Sequence, residues 1–455
     1  MAGLELNFAD EVCLEALSDE RLLAAMARFE AALARASAQA GLVPGAAAEL
    51  IAKVCAHGGF DAPALARQAR DAGALAIPFV QELTARVAKV SPDAARYVHL
   101  GATSQDVLDT ALVLCARQAL QRIAELAFRL GNAAAELARH HARTPCAART
   151  LLQPAVPVTF GWKAAVWLSM LARCTAAFAR ARDAALVLQF GGAGGTLSAF
   201  GDQALAIEAA LGKQLDLQAP AAPWHSARDG LARLAAEAAL LAGAAGKIAR
   251  DVALLMQPEI GEAAEPPAGG RGASSAMPHK HNPAVSMLAL EAAQRAPGLV
   301  ATFLVQMTPE HERGLGQWQS QYLTLRELLA ATASGLAAMV TVLEGLEVDA
   351  DRMRANLERS RGLVYSEAVS MRLARSLGKA AAHSLVGKLS TQVAKGQGTL
   401  LEALRADPQV AGAIPESELA RLFAPQDNLG ASQEMVERAL QAWSAVRLSA
   451  RETSP

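Results

Sequence analysis

Apolar residues recur at helical spacing along almost the whole chain, and the length of the runs changes twice. Leu22, Met26, Phe29 and Leu33 stand three or four apart, which is the spacing of one face of an α-helix. Gly41, Pro44, Gly58, Gly59, Pro63 and Pro78 cut the first hundred residues into short pieces. Ser91–Pro92 then offers an N-cap followed by proline at the first helical position. From Asp106 the runs lengthen: Leu108, Leu112, Cys115, Ala119, Ile123, Leu126 and Leu130 form one stripe that continues to about His141. Further long helices are predicted from Thr159 to about Leu188, Ser226 to Met256, Ala284 to Met307 and Gln319 to Leu346. Ser226, with Asp229 three residues on, resembles a capping box. At 1.5 Å per residue these five rods would each be about 35 to 55 Å long and need partners along their whole length. After Leu346, Gly362, Gly378, Gly396, Pro408 and Pro415 break the pattern again.

No period-2 run of useful length and no internal repeat appears, so the expectation is an all-α chain. Three helical domains follow: a cap at 1–105, a central long-helix bundle at 106–346 carrying a loop at 266–283, and a C-terminal domain at 347–455. A length of 455 residues is more than one ordinary core organises. Aromatic residues make up only 4%, while alanine and leucine dominate. That composition suits helices packed closely on other helices, including those of other copies.

A net charge of −1 supplies no global field to attract nucleic acid or a membrane. Cys13, Cys55, Cys115, Cys146 and Cys174 are odd in number and form no CxxC pair, which fits free thiols in a reducing cytoplasm. Met1–Glu11 carries Glu5, Asp10 and Glu11 and lacks a basic region followed by an apolar one, so no secretory signal is expected there. The uncharged run Ala184–Gly201 reads as a helix end plus a glycine loop, and Leu328–Leu343 as a buried bundle helix rather than a membrane span.

Three polar islands interrupt the apolar pattern. His99-Leu-Gly-Ala-Thr-Ser-Gln-Asp106 precedes the first long helix. Ser104 or Asp106 suits a cap there, and Thr103, Ser104 and Gln105 beside a helix N-terminus suit a carboxylate. In the second island Thr150 and Gln153 offer neutral hydrogen bonds, and Arg149 either a carboxylate clamp or a structural ion pair. The third, Gly269-Gly-Arg-Gly-Ala-Ser-Ser-Ala-Met-Pro-His-Lys-His-Asn-Pro283, places hydroxyls, cations and an amide on backbone that cannot be helical, as a catalytic lid would. Trp224–Asp229 and Glu310–Arg313 add cations. The histidines form no HExxH and no cysteine pair supports them, so no metal is expected. Nor is there a phosphate-cradling or dinucleotide-binding glycine pattern. Hydroxyls, amides, Arg, Lys and His together suit a polycarboxylate and a carbanion beside one of its carboxylates, chemistry that needs no cofactor.

These islands resemble the three signature regions of the fumarase/aspartase superfamily, and residues 272–283 are close to its diagnostic loop. The resemblance implies a homotetramer with a twenty-helix core, in which each active site draws one island from each of three subunits. It further implies that Ser274 moves the proton at carbon and that Lys280 and Asn282 stabilise the aci-carboxylate and hold the substrate. Thr103, Ser104, Thr150 and Gln153 are implied carboxylate contacts, with Ser275 and Met277 of the loop beside them. One departure stands out. Many members carry a histidine after Arg-Thr in the second region, serving the general acid; here the position is Leu151, which cannot transfer a proton.

That change fits the superfamily's cycloisomerase branch, which the chain is similar to through Trp224–Asp229, Glu310–Gly316 and Gly362–Glu367. The branch implies attack of a substrate carboxylate on a conjugated double bond of the same tricarboxylate, giving a γ-lactone in protocatechuate degradation. Ser274 or His99 then protonates the carbon, and Arg228, His311 and Arg313 serve as carboxylate clamps. An adenylosuccinate-lyase-like C–N lyase, suggested by His99 and the His-Lys-His-Asn ending, and a non-catalytic assembly protein on the same scaffold are the alternatives.

Overall fold

The computed structural model describes residues 8–452; the first seven residues of the expected cap domain, and of the stretch free of a secretory signal, lie outside them. The chain is 69% helical. Short helices come first: α1 Glu11–Ala16, α2 Asp19–Gln39, α3 Gly45–His57, α4 Ala62–Ala72, α5 Ala76–Ala88 and α6 Pro92–Ala95. The long ones are α7 Ser104–His140, α8 Phe160–Ala185, α10 Asp229–Leu255, α11 Ala284–Val305 and α12 Gln321–Glu344, with α9 Ala204–Leu215 between. Seven more close the chain: α13 Ala350–Arg359, α14 Ser366–Leu377, α15 Lys379–Ala394, α16 Leu400–Arg405, α17 Pro408–Ala413, α18 Glu416–Arg421 and α19 Ser432–Glu452.

The starts follow the sequence chemistry. Ser91 Oγ accepts from Ala94 N–H with Pro92 at the first helical position, and Thr399 with Glu402 forms a full capping box at α16. At α10 the expectation needs correction. The helix begins at Asp229, with the Ala232 N–H on the Arg228 carbonyl, so Arg228 rather than Ser226 stands at the cap. Residues 224–228 are held by side-chain bonds described below and cannot wind into the helix.

Two compact units share the chain, and all five long helices contribute to both. The first comprises residues 1–127, 174–246 and 288–337; the second comprises 128–173, 247–287 and 338–455. In the first, α2 turns Leu22, Met26, Phe29 and Leu33 inward. Small residues bring helices close there: a Cβ on Gly246 of α10 would stand 2.4 Å from the Ala293 Cβ of α11. Leu328, Leu329, Leu336 and Met339 of α12 are fully buried or nearly so. The stretch Trp318–Glu344 is long and apolar enough to cross a membrane, but it is mostly buried in the protein. In the second unit Trp443 of α19 lies against Phe128 and donates from Nε1 to Asn132 Oδ1 at 3.0 Å. Val369, Leu373, Val386, Leu400, Leu404 and Leu419 form part of a separate core of the C-terminal helices.

The absence of strands was overstated. β1 Pro145–Thr150 and β2 Gln153–Thr159 form an antiparallel hairpin, and β3 Ala263–Ala264 pairs with β4 Glu347–Val348. Pro154 and Pro157 and a bulge between Ala147 and Arg149 hide the alternation that marks a strand. Cys13, Cys55, Cys115 and Cys146 are buried free thiols. Burial pushes Cys55, Cys115 and Cys146 up to about 12 and raises Cys13 as well.

Candidate active site

In the first unit the start of α7 is a polar hub inside an apolar shell. Asp106 Oδ2 accepts from Thr103 N–H at 3.0 Å, so the carboxylate reaches back to cap its own helix. It also accepts from Gly191 N–H at 3.0 Å and Gly192 N–H at 2.9 Å, and meets His225 Nε2 at 2.7 Å. One turn on, Asp109 takes both ends of the Arg228 guanidinium at 2.6 and 2.9 Å, Gln105 Nε2 at 3.0 Å and Gln189 Nε2 at 3.2 Å. Arg228 also donates to Gln321 Oε1 at 3.1 Å and stacks on Trp224. Two expected substrate contacts are therefore turned inward. Gln105 is 0% exposed and Arg228 1% exposed; the Gln105 amide nitrogen is taken by Asp109 and the His225 carbonyl, and the Arg228 guanidinium by Asp109 and Gln321. A buried guanidinium needs a carboxylate, and Asp109 already supplies it.

Other members of this set remain open. Thr103 Oγ1 accepts from Arg313 Nη1 at 2.7 Å, although 210 residues separate them. Arg313 Nη2 reaches the carbonyls of Gly192 and Ala193, while its buried Nε has no partner among the described residues. Ser104 opens α7, half-buried. His99 is in left-handed backbone at φ 59°, and its Nδ1 lies 2.6 Å from Glu30 Oε1. Burial opposes charge on this imidazole, but the charge and hydrogen bond of Glu30, helped by Asp106, leave its pKa raised. His311, also left-handed at φ 46°, is exposed. The adjacent Glu310 holds the segment by accepting from Leu315 N–H and Gln317 Nε2.

In the second unit the hairpin presents the second island. Arg149 donates to both Glu262 oxygens at 2.9 and 2.6 Å, and Asn356 Nδ2 adds a bond of 2.8 Å to the same carboxylate. Of the two readings left open for Arg149, clamp or structural pair, this geometry is the pair. The bond to Glu262 raises the guanidinium pKa further. Thr150 pairs with Gln153 across a two-residue turn, and both are exposed. The turn is Leu151–Leu152, with φ 51° and 64°. Positive φ at both central positions defines a type I′ turn, normally built from Asn and Gly. Leucine there is strained, and these two are 97% and 72% exposed.

The third island is closed by its own backbone. Asn282 donates from N–H and Nδ2 to the Gly272 carbonyl at 2.9 and 3.1 Å, and Ala273 bridges His281. Gly272 has φ 69°, and a Cβ on it would stand 2.4 Å from the Asn282 carbonyl oxygen, so only glycine fits. Asn282, expected to hold substrate, here spends an amide N–H on this clasp. Between the pinned ends Ser274 Oγ accepts from Ala276 N–H at 3.3 Å and Met277 N–H at 3.1 Å. Ser275, Met277 and Lys280 are exposed. Beyond the loop Glu265 accepts from Val285 and Ser286 N–H and so caps α11. A cleft of about 780 Å³ is lined by Arg271, His279, Lys280 and His281 together with Glu265 and Glu347.

The geometry joins His99 to Glu30, Thr103 to Arg313, and Ser274 to two loop amides. Glu30, Asp109 and Glu262 were not anticipated. Glu30 and Asp109 did leave a trace, since each is an acid on an apolar helix stripe, beside Phe29 and Leu108 respectively.

Residues 8–298 match the family described as Lyase, and residues 362–439 match the one described as the adenylosuccinate lyase C-terminus. The chain belongs to the lyases of the fumarase/aspartase superfamily and is an enzyme of that class. It is 46% identical to a 3-carboxy-cis,cis-muconate cycloisomerase of Bradyrhizobium diazoefficiens, over 93% of this chain and 94% of that one. A 3-carboxy-cis,cis-muconate cycloisomerase of Pseudomonas aeruginosa is 47% identical, over 93% and 92%. Among solved structures, the 3-carboxy-cis,cis-muconate lactonizing enzyme of Pseudomonas putida superposes with a TM-score of 0.90 at 42% identity, covering 97% of this chain and 99% of that one.

Proposed function

We propose that the enzyme closes 3-carboxy-cis,cis-muconate to 4-carboxymuconolactone. A substrate carboxylate oxygen forms a bond to an alkene carbon, and the π electrons move onto the neighbouring carbon and its carboxylate as an aci-anion. The Ser274 hydroxyl gives its proton to that carbon, and solvent returns one to the serine. The observation that carries this reading is the pair of N–H groups on Ser274 Oγ, because they are placed to hold the negative charge that the oxygen acquires. Leu151 supports it: at the hairpin tip no acid follows Thr150, and this reaction has no leaving group to protonate.

Lys280 offers a cation to the aci-anion, while Thr103, Ser104, Thr150, Gln153, Ser275, Met277, His311 and Arg313 line the tricarboxylate. Along the chain the 37 residues of α7 separate the first island from the hairpin, and we place the islands of one site on three different copies of a homotetramer. Exposed Leu304, Val305 and Leu323 on the long helices suit such an assembly. The division at 1–105, 106–346 and 347–455 belongs to the same proposal.

The test is purified protein in chelator-treated buffer with 3-carboxy-cis,cis-muconate. Loss of diene absorbance with lactone as product is the expected outcome, and no turnover overturns the reading. The match to an adenylosuccinate lyase C-terminus favours one second reading, a C–N lyase, and turnover of adenylosuccinate in the same preparation would establish it.

A further inference from the structure

Glu30 has no place in the reaction as written, yet it is the least expected group near the site. It is 1% exposed on the apolar face of α2, between Met26 and Leu33. A carboxylate there is costly unless something compensates it. Oε1 meets His99 Nδ1 at 2.6 Å, and Oε2 is buried with no partner among the described residues. The pairing takes one imidazole nitrogen and leaves Nε2 as the only open one, on a side chain that is 20% exposed. The left-handed backbone at His99 restricts the ring further.

We propose that Glu30 is a positioning residue that holds His99 as a cationic anchor for a substrate carboxylate, leaving the proton at carbon to Ser274. This rests on the cycloisomerase reading, in which Ser274 gives the proton, and assigns His99 a separate part in it. The groups facing the pair are few. Glu30 comes from α2, Cys55 from α3 senses Glu30, and Arg35 of α2 faces Cys55 while paired with Glu49. From α7 comes Asp106, whose charge acts on His99 in the same direction as Glu30 but is shared among His225 and three backbone amides. Arg313 enters through Thr103. An imidazolium stabilised by an adjacent carboxylate parts with its proton reluctantly, which makes it a weak acid toward carbon and a strong charge-assisted donor to a carboxylate.

The experiment is Glu30→Gln, which keeps shape and an acceptor oxygen but removes the charge. KM for 3-carboxy-cis,cis-muconate is expected to rise about 10- to 100-fold at a pH between the His99 midpoints of the wild type and of Glu30→Gln. The gap should close only as the pH falls below the lowered His99 midpoint of the variant, because burial opposes the imidazolium once Glu30 no longer offsets it. The value of kcat should stay within about threefold, since uniform binding is lost rather than transition-state stabilisation. Glu30→Asp should restore part of the affinity. NMR titration of His99 in ligand-free enzyme should show its midpoint falling in Glu30→Gln. A fall in kcat at constant KM, or an unmoved His99 midpoint, overturns the proposal. Should Glu30→Gln fail to fold, His99→Gln carries the same KM-against-kcat expectation. Wild type that does not turn over the muconate sinks the earlier reading instead, whereas the His99 titration is read without any substrate.

Discussion

Around Asp106 and Asp109 each carboxylate oxygen has a partner and the side chains are buried, whereas between Gly272 and Asn282 the side chains face solvent and the bonds are mostly backbone. The two regions carry similar residue types to different ends. Inside the hub a charge that moved would leave its counter-charge stranded in apolar surroundings, so the network fixes the loops that meet at Gly191 and Trp224. In the exposed loop the clasp fixes only the ends, and the groups between them are open to a ligand. Chemistry and stability should therefore separate cleanly under mutation.

The largest expected effect is on turnover. Ser274→Ala should cost about 10²- to 10⁴-fold in kcat while leaving the thermal midpoint unchanged, since the loop amides it frees are exposed; unaltered turnover would erase the distinction between the regions. Next comes Asp109→Asn, which leaves buried Arg228 without its counter-charge. It should destabilise the fold by about 3 to 5 kcal/mol in chemical denaturation, and a loss below about 1 kcal/mol, the range of an exposed pair, would mean the hub is not the rigid half. Smallest is Leu152→Gly at the hairpin tip. Relief of the left-handed strain should stabilise by about 1 kcal/mol, and destabilisation would show that the exposed leucine is held by contacts made elsewhere.

Much of the scaffold was legible in the sequence because helical periodicity is local. The five long helices lie within about three residues of their expected ends, and the loop at 266–283 is free of helix. The hairpin was not legible, because its prolines mask alternation and its turn uses two leucines in place of Asn-Gly. At the site, residue types identified the islands, but partners did not follow from them. Arg149 and Glu262 are 113 positions apart, and Arg228 and Asp109 are 119 apart, distances over which no spacing rule operates. Gln105 and Arg228 consequently read as ligand contacts, whereas the fold turns both side chains inward.

The buried thiols lend themselves to kinetic labelling. With Cys55, Cys115 and Cys146 pushed up to about 12 and Cys13 raised as well, almost no thiolate exists at neutral pH to attack an electrophile. A cysteine introduced at exposed Ser275 would react with a maleimide far faster than any of these four. With the part-buried Cys174 replaced first, the slowing of that reaction by a bound carboxylate would report directly on occupancy of the loop.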